Sequence, residues 1–371
     1  MDAPTPHLSV DLAVVRARFA ELSAALPGAR VFYAVKANPA PEVVAELAGA
    51  GSGFDVASVG ELRQVLGLGA DPGALCHANP VRTPADVRES VHAGVRLFVT
   101  DSPEDLDVLA EHAPGAHVLV RLAVDELGSA TPFGGKFGCS PPEGAGLLRR
   151  AEASGLRPVG LSFHVGSQQT RPAAWGYAIA TAAAVVADAG WTRLPLLDLG
   201  GGFPVRYRED VPSPADIAGE IGAALRTHFP HDPPELAVEP GRFLVAEAGV
   251  LHASVVRVSH RHDGRRWVYL DVGRYGGLAE TEGEAIGYRL ATPHEGGELA
   301  PAVLAGPTCD GDDVLYREVE LPVALRAGDR IRILAAGAYT ASYSSVGFNG
   351  LPPLPVVCHD SARDTLTGVS A

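Results

Sequence analysis

Lys36 and Lys136 are the only lysines in a chain of 371 residues; arginine supplies the rest of its 30 Lys and Arg positions. Arginine stays protonated and cannot become an amine nucleophile or an imine. A lysine kept amid such replacement is therefore a candidate for chemistry that needs a neutral amine. Lys36 lies in Tyr33-Ala34-Val35-Lys36-Ala37-Asn38, just after an apolar run. A cation there is costly unless it is neutralised or used. The plain reading is a side chain whose head reaches solvent at the rim of the fold. The chemical reading is an imine with an aldehyde cofactor.

Other segments supply partners for that chemistry. Glu239, in Val238-Glu239-Pro240-Gly241-Arg242, ends an apolar run. It either pairs with Arg242 or a helix N-terminus, or faces the lysine and keeps the pyridine nitrogen of pyridoxal phosphate protonated, which suits decarboxylation. Asp198-Leu199-Gly200-Gly201-Gly202-Phe203 puts three glycines after a strand. They make either a tight turn or a row of N–H groups aimed at a phosphate, with Arg242 and Ser167 as further donors. His164, before Val165-Gly166-Ser167, is either a hydrogen-bonded core histidine or a ring stacked on a planar cofactor. Cys309-Asp310, inside Gly306-Pro307-Thr308-Cys309-Asp310-Gly311-Asp312-Asp313, reads as a proton donor beside an ammonium-binding carboxylate. No spaced glutamate closes a calcium loop there, and no metal site is expected.

These residues need a frame. From about residue 30 to 240, short β-rich runs alternate with amphipathic stretches. The runs are Val31–Val35, Phe54–Ala57, Ala74–Ala78, Leu97–Thr100, His117–Leu122, Val159–His164, Leu196–Leu199 and Leu236–Glu239. Eight such runs with helical crossovers predict a parallel (β/α)8 barrel, an α/β fold. A doubly wound sheet is the rival, but no G-x-G-x-x-G follows the first strand. Functional residues of a barrel sit at the C-terminal strand ends, where Lys36, Asp55, His77, Arg121, His164, Gly200–Gly202 and Glu239 fall. Beyond about residue 245, Val250–Ser259, Trp267–Asp271, Ala302–Ala305, Glu318–Val323 and Arg330–Ala335 read as strands of an all-β module, with Thr5–Leu12 as an extra strand. The expected division is a barrel over 28–244, and a β-sandwich or β-barrel domain made of 1–27 with 245–371.

Bulk properties set the class of partner. A net charge of −14 argues against nucleic acid or an anionic membrane as the main partner. No signal-peptide core is expected in the first thirty residues, no run reaches membrane-spanning length, and no Cys-x-x-Cys pair occurs among the four cysteines. A cytoplasmic protein is expected by elimination.

Taken together, the motifs from Tyr33 to Gly350 resemble the fold-type III pyridoxal-phosphate decarboxylases, the family of ornithine, lysine and diaminopimelate decarboxylases. The resemblance implies that Lys36 carries the cofactor, His164 stacks on its ring and Glu239 meets the pyridine nitrogen. It places Ser167, Gly201, Gly202, Arg242 and Tyr339 around the phosphate, and Asp55 and Arg121 near the lysine and the phenolic oxygen. It also implies a head-to-tail homodimer in which Cys309 and Asp310 serve the other chain's site, with Cys309 as proton donor to Cα. Lys136, in Gly135-Lys136-Phe137-Gly138, matches a loop lysine of the active site.

Pro307-Thr308-Cys309-Asp310 and Phe348-Asn349-Gly350 are similar to the ornithine branch, as is Tyr275-Gly276-Gly277-Leu278-Ala279-Glu280-Thr281. Tyr275, Phe348, Glu284 and Lys136 are thereby expected at the substrate. An acidic residue should follow this segment to bind the distal ammonium; the candidates are Glu282 and Glu284, flanking Gly283, and either Gly283 or Glu284 takes that place. Gly283 in the slot would open the pocket to a larger or modified amino acid, as in specialised metabolism. A diaminopimelate decarboxylase is a further alternative, although Phe243 stands where that branch has serine. Alanine racemase, with the same barrel, pairs its pyridine nitrogen with arginine, against Glu239. A catalytically silent homologue that binds a partner is disfavoured by intact Lys36, Glu239 and Cys309.

Overall fold

A computed structural model describes residues 3–367. Its strands run in chain order β1 (His7–Asp11), β2 (Arg30–Ala34), β3 (Gly53–Asp55), β4 (Leu75–His77), β5 (Leu97–Thr100), β6 (His117–Leu122), β7 (Ser129–Thr131), β8 (Arg157–Phe163), β9 (Ser167–Gln169), β10 (Leu196–Asp198) and β11 (Glu235–Val238). Then follow β12 (Gly249–His260), β13 (Arg266–Leu270), β14 (Arg289–Ala291), β15 (Leu299–Ala305), β16 (Val314–Pro322), β17 (Arg330–Leu334) and β18 (Val356–His359). The contacts divide the chain into two compact units. One comprises Arg16–Pro204 and Val211–Gly241; the other comprises the described residues before Arg16, Val205–Asp210, and those from Arg242 onward.

The first unit is the expected barrel. Strands β2-β3-β4-β5-β6-β8-β10-β11 close on themselves in that order, and every neighbouring pair is parallel. Phe32, Cys76, Ala78, Val99, Leu119, Leu196 and Ala237, contributed by six of the strands and the end of β4, pack into one buried cluster. Burying a Val, Leu or Phe side chain of this cluster stabilises by roughly 1.5–3 kcal/mol. The crossover helices start alike: Pro84–His92, Pro103–His112 and Pro214–His228 each carry proline at the first turn and a Ser or Thr cap whose oxygen accepts a backbone N–H. Such a start spends no helical donor on proline and satisfies an orphan N–H.

The second unit is built mostly of sheet. Its eight strands include the run β14-β17-β12-β13-β15-β16, and β1 joins by pairing with both β12 and β18. The N-terminal segment thus supplies the extra strand the sequence suggested, antiparallel to β12 and parallel to β18. Among the described residues no helix is long and apolar enough to cross a membrane. No group of His, Cys, Asp or Glu among them is placed to hold a metal ion.

His77 ends β4, but its side chain turns to the covering helix, with Nδ1 3.0 Å from Ser90 Oγ. It is fully buried and its Nε2 has no partner. Burial, reinforced by Arg82, lowers its pKa to about 4. A neutral buried imidazole stabilises the fold above its unfolded pKa of 6.5, and that contribution is lost as pH falls from 6.5 toward 4. The window amounts to about 3 kcal/mol. Thermal melting should therefore show the wild type losing more stability between pH 6.5 and 4 than His77→Asn. Equal losses would contradict the assignment.

Candidate active site

The barrel's strand ends gather most of the predicted residues. Lys36 sits in a short helical turn, Val35–Ala37, directly after β2. Its Nζ donates to Asp55 Oδ2 at 2.6 Å, from a side chain 46% exposed to a carboxylate 2% exposed at the end of β3. The plain reading of Lys36 as a rim lysine and the chemical one are thus both satisfied in geometry. The amine reaches the opening while a buried carboxylate holds it. Asp55 Oδ1 is buried with no hydrogen-bond partner.

His164 follows β8. Its Nδ1 accepts the Gly166 N–H at 3.0 Å, and its ring meets Phe133 edge-on at 4.7 Å. Burial, with Arg121 and Lys36 nearby, holds its pKa well below the usual range. The ring is therefore neutral and apolar on its faces. Arg121 lies under the same loop, its guanidinium 5.6 Å from Phe133 and 4.9 Å from Phe137. Lys136 is exposed, its Nζ 5.0 Å from the Phe137 ring.

The glycine loop is a tight backbone passage. A Cβ at Gly200 would strike Phe163 O; at Gly201 it would lie 2.6 Å from Glu239 O and 3.0 Å from His164 Nε2; at Gly202, 2.5 Å from Gly166 O. Gly200 and Gly202 also adopt φ of 65° and 92°, a region other residues disfavour. Gly202 O accepts the Gln169 N–H at 2.9 Å, joining the loop to β9, where Ser167 lies. Glu239 follows β11, and its N–H bonds Gly200 O at 2.8 Å. Its Oε1 is buried without a partner. Burial, then Asp198 and Asp55, raise its pKa well above the carboxylate range.

These features fit pyridoxal phosphate. A held lysine meets an aldehyde, a neutral imidazole suits a flat ring, and an unpartnered buried carboxyl suits a ring N–H. A passage that admits only backbone suits a phosphate.

Within the second unit, Arg242 is 4% exposed. Its guanidinium forks onto Glu280 at 2.6 and 2.7 Å and donates to Tyr207 Oη at 2.8 Å. Tyr339, at φ 54°, lies with its ring 4.9 Å from that guanidinium. Cys309 is exposed and its Sγ meets the Asn349 amide at 3.4–3.5 Å. Asp310 hydrogen-bonds the Tyr275 phenol, which raises the phenol's pKa, and Tyr275 packs on Phe348 at 4.7 Å. Asp313, 2% exposed, holds this loop by accepting from Thr308 N, Thr308 Oγ1 and Arg274 N at 2.7–3.0 Å. Glu284 does not project freely, since its Oε1 accepts the Arg317 N–H at 2.7 Å. Glu280, Tyr207 and Asp313 escaped the sequence reading, because each acts on a partner whose proximity the sequence does not signal. Asn349 was visible only as a member of the Phe348-Asn349-Gly350 motif, with no role of its own.

A lysine with Asp55 and Glu239 in the mouth of a closed parallel barrel, beside a glycine passage, suits pyridoxal phosphate. Comparison with known proteins agrees. The family described as "Pyridoxal-dependent decarboxylase, pyridoxal binding domain" matches residues 12–246. The lysine/ornithine decarboxylase of Selenomonas ruminantium is 37% identical over 358 residues, covering 95% of this chain and 89% of that protein. The crystal structure of SrLDC in complex with PLP and cadaverine superposes with a TM-score of 0.88 at 35% identity, over 99% of this chain and 93% of that one. The lysine/ornithine decarboxylase from Vibrio vulnificus complexed with putrescine gives 0.86 at 35% identity, over 96% and 94%. The chain belongs to the fold-type III pyridoxal-phosphate-dependent decarboxylases. It is a carboxy-lyase, and its cofactor is pyridoxal 5'-phosphate.

Proposed function

We propose that this enzyme decarboxylates a basic L-amino acid of the ornithine or lysine type to the corresponding amine. The observation that carries the reading is the Lys36–Asp55 pair, at 2.6 Å, in the barrel mouth that also holds Glu239. Relatives named for lysine and ornithine support the substrate class. When bound, pyridoxal phosphate supplies an aldehyde and a protonated ring that takes up the electron pair left by departing carbon dioxide.

The chain's own residues do the rest. Lys36 holds the cofactor and yields it to the substrate amine, with Asp55 receiving the freed ammonium. His164 packs against the ring face, Arg121 serves its phenolic oxygen, and Glu239 holds the ring N–H. Gly201, Gly202 and Ser167 bind phosphate, as do Arg242 and Tyr339. Cys309 gives a proton to the substrate's Cα after carbon dioxide leaves, and Asp310 receives the substrate's distal ammonium, with Tyr275, Phe348 and Lys136 nearby. We further propose a head-to-tail homodimer in which each chain lends Cys309 and Asp310 to its partner's site, acting in the cytoplasm in polyamine formation. Cys309→Ala should slow turnover at least about tenfold and divert product from the amine to the aldehyde, with the cofactor released in its pyridoxamine form. Product analysis checks this; an unchanged rate and product would remove the role.

A second reading, decarboxylation of a modified or conjugated amino acid, is favoured by two observations. Glu284 is tied to Arg317 N. Gly283, at φ 60°, has open space where a side chain would begin. Carbon dioxide release from ornithine, lysine, arginine, diaminopimelate and longer conjugated amino acids tests both. Release from ornithine or lysine by the wild type supports the first reading. Release from conjugated substrates alone overturns it.

A further inference from the structure

The barrel mouth holds one acid more than the proposed reaction uses. Asp198 ends β10, fully buried. Its Oδ1 accepts the Gly200 N–H at 2.9 Å, while its Oδ2 is buried with no hydrogen-bond partner. The adjacent strand β11 leads into Glu239, whose Oε1 is in the same condition. The two side chains lie within reach of a shared hydrogen bond. Glu239 N–H in turn bonds Gly200 O at 2.8 Å. Two carboxyl groups and the first glycine of the loop therefore form one connected unit.

Two neighbouring buried carboxyls cannot both ionise cheaply. Asp55 adds a third negative group, Lys36 and Arg121 offset it, and the Cys76 thiol, pushed up by burial and by the acids, adds no charge. Burial is the main cause that brings Asp198 up to about 6.

We propose that Asp198 is a positioning residue: with Glu239 it forms a proton-sharing pair that favours a protonated ring nitrogen, while its Oδ1 fixes the start of the Gly200–Gly202 loop. The proposal rests on the pyridoxal-phosphate reading. When an unprotonated ring nitrogen arrives, the O–H bond of the pair breaks and an N–H bond forms at the ring. The pair goes from one negative charge to two as the ring gains one positive charge, so the total is conserved. The same repulsion that weakens the protein without cofactor thus strengthens its hold on a protonated ring.

That coupling gives Asp198→Asn two effects of opposite sign. A carboxyl with a raised folded pKa costs stability as pH rises from its unfolded value to its folded one, here from 3.8 to about 6. Cofactor-free Asp198→Asn should therefore gain in melting temperature relative to wild type as pH rises from 5 to 7. Its Kd for pyridoxal phosphate, read by absorbance, should rise about tenfold, equivalent to one unit of ring pKa. Glu239→Gln should move both readouts the same way, and the double variant should fall short of the summed effects. Asp198→Ala, which also removes the acceptor for Gly200 N–H, should weaken binding of inorganic phosphate as a competitor, where Asp198→Asn does not. If Asp198→Asn misfolds, Glu239→Gln carries the stability test from the other side of the pair. A wild-type protein that fails to bind pyridoxal phosphate would overturn the cofactor reading itself. Wild type that binds, with Asp198→Asn showing equal Kd or an equal loss of stability at both pH values, would overturn the role of Asp198.

Discussion

Lys36→Ala is expected to slow carbon dioxide release by at least about 10⁴-fold and to abolish the absorbance band near ~420 nm. The expectation follows from replacement chemistry. Of 30 Lys and Arg residues only two are lysines, and arginine at position 36 could not take the place of an amine nucleophile. Because the Lys36 side chain is 46% exposed, truncating it removes little buried area, but it leaves the buried Asp55 carboxyl without its cation, so a melting curve accompanies the turnover measurement. Lost turnover in a folded protein then reports on chemistry. Lys136→Ala, in the exposed loop, should keep the band. A Lys36→Ala variant that retains both band and turnover would move the cofactor elsewhere.

Glu239→Ala is expected to lower turnover by about 10²–10³-fold, comparable to the loss of one preorganised electrostatic partner of the reacting system. The Glu239 carboxyl is tied to no cation: its Oε1 is buried without a partner, and its side-chain neighbour at hydrogen-bond reach is the Asp198 carboxyl. Removing it relieves repulsion with Asp198 and Asp55, so the fold should survive while the ring loses its proton holder. Turnover and absorbance spectra measured together check this. Unchanged kcat with an unchanged spectrum would place the ring nitrogen against a different group.

The barrel was legible because its strands announce themselves. Each of the eight apolar runs lies within two residues of an observed strand, and β5 and β6 coincide with their runs. β14 and β18, of three and four residues, carry too little alternation to be read, and both sit at sheet edges. In the candidate site, residues that lie at their own strand end, such as Lys36 and Glu239, were visible. Arg242 was visible as a cation, but its fork onto Glu280, 38 residues away, was not. Glu284 likewise looked available until Arg317 N, 33 residues on, was seen to occupy it. Asp198 looked like the boundary of a glycine turn, and only its closeness to Glu239 gives it a second use.

The central claim, that Lys36 carries the cofactor, has a direct test in the scarcity of lysine. Protein loaded with pyridoxal phosphate, reduced with borohydride and digested, should carry the pyridoxyl mass on the peptide containing Lys36 and none on the peptide containing Lys136. A label on Lys136, or on neither lysine, would contradict it.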